Sequence, residues 1–222
     1  IGFHSYKDHV IFAPGEVLKD DGTPYNVFTP YSRRWLSRFE ESRPVFRPGD
    51  ARGRFLPVGT HRNPTLAELG FEENSFVAPP AALNHELIRN YAATRDLPAL
   101  PGTSRLGLHL RFGTLSVREV ALVAHSLSPK FLAELIWREF YQMIIWYYPQ
   151  TATKPFRGIY ANTRFPGTAN DFKKWASGET GYPLVDAGIR ELVATGFMHN
   201  RVRMVVASFL TKHLLCDWRW GE

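Results

Sequence analysis

From residue 80 to the end, apolar residues recur at helical spacing between stops set by proline and glycine. A chain written this way buries itself by packing helix on helix. Residues 81–96 read as one helix, closed by Pro98 and Pro101. Ser116 opens another, with Glu119 three residues on as a capping box and Val117, Val120, Ala121 and Ala124 as its apolar stripe. Ser128-Pro129 starts a third that runs to about Tyr148, where Pro149 stops it. Further helices are predicted over 169–177, over 183–195 ended by Gly196, and over 198–215.

The first 80 residues have another character. Residues 9–13 read as a short apolar strand ended by Pro14-Gly15, and Lys19-Asp20-Asp21-Gly22 is a turn signal. A short helix is expected after Thr29 as cap, with Pro30 at its first position and Trp35, Leu36 and Phe39 on one side. From residue 43 to 63, Pro44, Pro48, Gly49, Gly53, Pro57 and Gly59 alternate with arginines, the pattern of an extended linker. The expected fold class is mainly α, divided into residues 1–42, a linker at 43–79, and a helical part at 80–222.

Apolar residues make up 44% of the 222 residues and aromatics 14%, enough large side chains to offset the entropy of ordering and exclude global disorder. Cys216 is alone, which excludes an internal disulfide, and no spacing suggests a metal site. No apolar run approaches the roughly 20 residues of a membrane helix, and no leader pattern is visible, so a cytoplasmic or nucleoid-associated monomer is expected. The net charge of +6 favours anionic partners only weakly; of its clusters at Arg33-Arg34, 43–54, Arg201, Arg203, Lys212 and Arg219, the first two read more readily as solvated surface than as a binding face.

On the helix opened by Ser128, Glu134, Trp137, Arg138 and Tyr141 share one face, while Leu132, Leu135, Ile136, Phe140, Met143 and Ile144 supply the core. The mixed face suits the wall of a polar cavity; the alternative is an exposed stripe carrying a Glu134–Arg138 ion pair. In the last helix Phe197, Asn200, Arg201, Met204 and Ser208 lie together, with Val202, Val205, Val206, Phe209 and Leu210 for packing. Asn200 and Glu134 could hydrogen-bond an amide-bearing heterocycle and Met204 could conform to it, although core filling explains Met204 equally well. In the segment Gly102-Thr103-Ser104-Arg105-Leu106-Gly107, hydroxyls and amides beside a glycine could cradle phosphate, or simply cap a helix. Neither a dinucleotide-binding fingerprint nor a P-loop occurs.

The runs GTSRLGLHLRFGTLS (102–116), ELIWREFY (134–141) and TGYPLVDAGIRELVATGFMHNRVRMVVASFLTKHLLCDWRWGE (180–222) resemble the cryptochrome/DNA photolyase family, most of all its bacterial class I cyclobutane pyrimidine dimer photolyases. VFTPYSRRW (27–35) is similar to the end of that family's α/β antenna domain, so residues 1–42 would be its remnant and 80–222 an FAD- and DNA-binding helical domain. The resemblance implies light-dependent repair of cyclobutane dimers in UV-damaged DNA by electron transfer from reduced FAD, a carbon–carbon lyase activity. It implies cofactor contacts from Tyr91, Thr103, Ser104, Arg105, Leu106, Gly107, Glu134, Arg138, Asn200 and Arg203. It places Arg95, Glu134, Trp137, Arg138, Tyr141, Asn200 and Arg201 against DNA, and makes Glu134, Trp137, Asn200 and Met204 the catalytic group. Trp218 matches the middle of an electron-transfer chain of tryptophans, with Phe165 in the surface position. Gly107 stands where the family usually has Ser, and Phe197 where it has Trp.

By the same resemblance the chain begins inside the antenna domain and ends before the acidic residues that close the flavin site, one of which would pair with Arg203. Weak FAD binding and low activity of the chain alone are therefore expected. A second chromophore of folate or deazaflavin type would belong to the antenna domain. Two other readings are a cryptochrome, a flavin photoreceptor of the same architecture, and a basic helical nucleic-acid-binding module without chemistry. Asn200, Met204, Glu134 and Trp137 together favour dimer repair, and a (6-4) photolyase would show a His where Asn200 sits.

Overall fold

The computed structural model describes residues 2–4, 6–45, 62–72 and 76–222. Eight α-helices occur among them: α1 (Phe28–Glu41), α2 (His85–Thr94), α3 (Gly107–Phe112), α4 (Val117–Leu127), α5 (Pro129–Tyr147), α6 (Ala169–Ala176), α7 (Pro183–Thr195) and α8 (Asn200–Ser208). Their ends follow local chemistry. The Ser128 side chain accepts from the Phe131 amide to start α5, Thr168 and Asp171 form a reciprocal capping box on α6, and Gly196 takes a left-handed φ of 69° to end α7. No helix among the described residues is long and apolar enough to cross a membrane.

Several boundaries differ from expectation. Asn84 caps α2 through the Leu87 amide, so the helix starts four residues later than its apolar pattern suggests. Ser116 and Glu119 do not form a capping box on α4. The last helix leaves α geometry at Phe209, where a π-helical turn continues to His213. Helix α1 begins at Phe28 without a side-chain cap, leaving Thr29 inside its first turn. Most of the expected linker, residues 46–61 and 73–75, lies outside the described residues.

The predicted strand at 9–13 is not formed; no strand occurs among the described residues. Its amides have another destination. Glu139 of α5, buried among apolar side chains, accepts from the Ile11 and Phe12 amides at 2.6 and 3.1 Å and from the Trp35 indole at 2.7 Å. A carboxylate thus does for this extended segment what a neighbouring strand would do, satisfying its buried donors. Burial pushes the Glu139 carboxyl up to about 7, against the pull of those three donors.

Packing divides into two clusters. The first joins Tyr31, Trp35 and Phe39 of α1 to Ile88, Val120, Ala121, Ala124, Leu132, Leu135, Ile136, Phe140 and Met143, so the N-terminal part shares its core with α2, α4 and α5. The second gathers Trp175, Val185, Ile189, Met198, Val202, Val206, Phe209, Leu210 and Cys216 from α6 to the C-terminal turns. Val205, expected in this core, is 41% exposed instead, because the face of α8 that meets α7 is centred on Val202 and Val206. There Gly188 of α7 lets the backbones close in: a Cβ at that position would stand 2.5 Å from Val202 Cγ1. Between them lies a seam at the end of α2 and the start of α8, bridged by the Asp96–Arg201 hydrogen bond and the Arg105–Phe197 contact.

Candidate functional site

Four charged side chains cross that seam. Glu134 of α5 pairs with Arg95, the residue just past α2, whose side chain is 9% exposed. Arg95 Nε also donates to Asp96 Oδ1 at 3.1 Å, and the same oxygen accepts from Arg201 Nε of α8 at 2.7 Å. The Arg201 hydrogen bond holds the Asp96 carboxyl below its ordinary range. Arg201 Nη1 lies 3.6 Å from Met204 Sδ, and Asn200 Nδ2 lies 3.9 Å from the same sulfur. Glu134, Arg95, Arg201, Asn200 and Met204, chosen from separate parts of the sequence, are therefore brought to one place. Asn200 and Met204 are exposed on its rim.

Trp137 is held by aromatic neighbours. Its ring stacks on Phe28 with centroids 3.6 Å apart and planes at 5°, and on Tyr141 at 5.4 Å. Tyr141 is 57% exposed, so the stack ends in a ring open to solvent. Arg138 turns the other way. It donates to the His9 carbonyl at 2.6 Å and to the Leu110 carbonyl at 3.0 Å, tying α5 to the N-terminal segment and to α3. The expected alternative of a Glu134–Arg138 pair is thus overturned: Glu134 has Arg95, and Arg138 has two carbonyls.

The segment at 102–107 passes beside this network. Gly102 packs on Thr94 so closely that a Cβ would stand 2.7 Å from Thr94 Cβ and 2.8 Å from its carbonyl oxygen. Arg105 takes a left-handed φ of 53°, and its guanidinium lies 4.2 Å from the centroid of the Phe197 ring, at the entrance to α8. Among the described residues, the Thr103 and Ser104 hydroxyls and the amides of residues 103–106 meet no hydrogen-bond acceptor. At Gly107 nothing lies within 4 Å of an added Cβ, so a serine hydroxyl would have room there. His109 anchors the following helix, with Nε2 2.6 Å from the Pro79 carbonyl and Nδ1 2.8 Å from the Thr114 hydroxyl. The carbonyl can only accept, so in the neutral ring the proton sits on Nε2.

Tyr91 is half-buried, edge-on to Phe131 at 5.0 Å and 5.2 Å from the Arg95 guanidinium. Burial raises its pKa, with Glu134 adding to the effect. His199 caps α8 by accepting the Arg201 amide at Nδ1, which leaves the proton on a buried Nε2 that has no partner among the described residues. Free hydroxyls and amides beside a cation fit the anionic part of a cofactor of the FAD type. Arg203 is exposed and forms no ion pair among the described residues.

Trp218 lies apart from this network. With Phe165, Phe156, Tyr160 and Lys154 it lines a cavity of about 450 Å³. The approach of the two chain segments depends on Gly167, whose amide donates to the Leu215 carbonyl at 2.9 Å and where any Cβ would strike the Leu214 oxygen at 2.4 Å.

Periodicity and motif spacing had not singled out Asp96, Phe28, His109, His199 or Glu139. Only Glu139 carried a signal there: it sits three residues after Ile136 and four before Met143, in a core register where a carboxylate must find buried donors.

Residues 131–222 match the family model for the FAD binding domain of DNA photolyase, and residues 1–49 match the model for DNA photolyase. The deoxyribodipyrimidine photo-lyase of Alkalihalophilus pseudofirmus is 36% identical over 100% of this chain and 50% of its own length. That of Salmonella typhimurium is 38% identical over 98% of this chain and 50% of its own. A bacterial class III photolyase from Agrobacterium tumefaciens superposes with a TM-score of 0.79 at 29% identity, covering 96% of this chain and 49% of that one. A Synechocystis cryptochrome superposes with a TM-score of 0.68 at 26% identity, covering 96% and 48%. The chain spans about half the length of the curated relatives it matches. Two family models match the two ends of one chain, and its helical fold is shared with solved photolyases and a cryptochrome, so over nearly its whole length the chain is similar to the cryptochrome/DNA photolyase family.

Proposed function

We propose that this chain is the flavin- and DNA-binding part of a light-driven lyase that splits cyclobutane pyrimidine dimers in DNA. The observation that carries the reading is the seam network, in which Glu134, Arg95, Asp96 and Arg201 join α5 to α8 beside Asn200 and Met204. A damaged base pair stacks poorly and is extruded at lower cost than a normal one, so a pocket walled by an indole, a carboxylate and an amide selects it by shape. The stack of Phe28, Trp137 and Tyr141, which ends in the exposed Tyr141 ring, offers an aromatic wall for the extruded bases, while Glu134 and Asn200 present hydrogen-bonding groups to their edges. Arg95 and Arg201 meet the flanking phosphates without reading sequence.

On the other side of the seam, Thr103, Ser104, Arg105 and the amides around them hold the cofactor's diphosphate, with Tyr91, Leu106 and Gly107 shaping its seat. Bound there, reduced FAD supplies the light-driven electron chemistry that the side chains lack. Glu134 in its protonated form, able to donate a hydrogen bond, stabilises the negative charge that develops on a base carbonyl, an electrostatic role strengthened by exclusion of water. The domain division at residues 42 and 79 and the electron-relay role of Trp218 belong to this same proposal.

The test supplies the protein carrying this chain with FAD and an oligonucleotide containing one thymine dimer. Dimer loss is followed by chromatography in blue light and in darkness. Light-dependent repair that falls at least tenfold in Glu134→Ala supports the reading; flavin binding without repair in light points to the photoreceptor alternative, and neither binding nor repair refutes both.

A further inference from the structure

Asp96 occupies an unusual place in the network. One of its oxygens, Oδ1, collects the Nε–H groups of two arginines from different elements, Arg95 after α2 and Arg201 on α8. Convergence of two guanidiniums on one anionic oxygen is the arrangement that holds a phosphodiester. Asp96 is nevertheless open to solvent, its side chain 52% exposed, and Arg201 is 41% exposed. Glu134 gives Arg95 a second carboxylate, so Arg95 stays paired when Asp96 swings aside.

We propose that Asp96 is a phosphate placeholder. In the DNA-free protein it aims Arg95 and Arg201 at a common point and neutralises part of their charge. A DNA phosphate takes that point by displacing the carboxylate. Asp96 is thus a positioning residue that also tempers affinity for any DNA backbone. The inference rests on the reading of this site as a DNA-binding one.

The test measures binding of the protein to a fluorescein-labelled duplex, with and without a central thymine dimer, by anisotropy across a salt series. Asp96→Asn removes the competing charge while keeping the shape. It is expected to tighten binding of both duplexes roughly three- to tenfold near 100 mM salt and to steepen the log–log salt slope by up to about one. Asp96→Glu keeps the charge and restores wild-type affinity and slope. Glu86→Gln, which removes an exposed carboxylate in the first turn of α2, reports the effect of net charge alone. Unchanged or weaker binding by Asp96→Asn, an unaltered slope, or an equal gain in Glu86→Gln overturns the proposal. The absence of any preference for the dimer in the wild-type protein would instead count against the lyase reading, and the response of the undamaged duplex to Asp96→Asn still decides the placeholder.

Discussion

Glu139 makes the stability of this fold depend on pH in a direction opposite to that of most carboxylates. The unfolded side chain ionises near 4.5, whereas burial holds the folded one protonated up to about 7. Between those values the native chain binds the extra proton, so the stability it contributes is complete below 4.5 and is lost as pH rises through 7. A shift of that size gives a loss of about 2.5 kcal/mol between pH 5 and pH 8. Glu139→Gln removes the titration but keeps the shape. Its amide offers one oxygen and one NH₂ to three N–H donors, so at least one of Ile11, Phe12 or Trp35 then faces a donor, at a cost of about 1–3 kcal/mol. The assay is urea denaturation of both proteins at half-unit steps from pH 5 to 8, followed by circular dichroism. Histidines and other groups titrating in that range are common to both and cancel in the difference. The stability gap between wild type and Glu139→Gln should shrink by about 2.5 kcal/mol across the range. A gap that stays constant or widens with pH refutes the reasoning and means that the three donors, not burial, govern the ionisation of Glu139.

Gly188→Ala forces a methyl to within 2.5 Å of Val202 Cγ1 and is expected to destabilise the protein by about 1–3 kcal/mol, with partial recovery in the double variant with Val202→Ala, measured by chemical denaturation. Phe197→Ala removes the ring under Arg105, worth about 0.5–1 kcal/mol, and should weaken FAD binding severalfold in a flavin-fluorescence titration, while Phe197→Trp retains or improves it. Arg95→Ala leaves Glu134 without its partner and should lower stability by about 1–3 kcal/mol in the same denaturation assay. Arg95→Lys should restore only part of that, because an ammonium cannot serve Glu134 and Asp96 together with the fixed fork of a guanidinium.

The helices of the second part were legible because their signals are local. Ser128-Pro129 and Pro149 bracket α5, and Gly196 ends α7, within a residue of where the periodicity puts them. The misread strand at 9–13 shows the limit of such reasoning. An apolar run reports that a segment is buried, not what accepts its hydrogen bonds, and the acceptor here lies 128 residues away on α5. The site divides in the same way. Glu134, Trp137 and Tyr141 were found from helical spacing, because α5 carries more large polar and aromatic side chains than its core face can use. Spacing also put Arg138 on that face, but its guanidinium is long enough to reach around the helix to the His9 and Leu110 carbonyls, a choice made by tertiary neighbours.

The network that makes the site a unit is the part no local pattern could contain. Asp96 and Arg201 are 105 residues apart, and nothing in the loop after α2 distinguishes Asp96 from a solvated turn residue. What brings them together is tertiary: the loop after α2 carries Asp96 to the start of α8, where Arg201 meets it. Neither core alone spans α5 and α8; the Arg201–Asp96 hydrogen bond and the Arg105–Phe197 contact link the two sides. Interactions of this kind are individually modest in water, so the seam is held less firmly than either apolar core. A fully apolar seam would hold the two clusters more firmly and leave no polar edge for a ligand to join. The charges therefore occupy a boundary that combines moderate cohesion with exposed hydrogen-bonding groups.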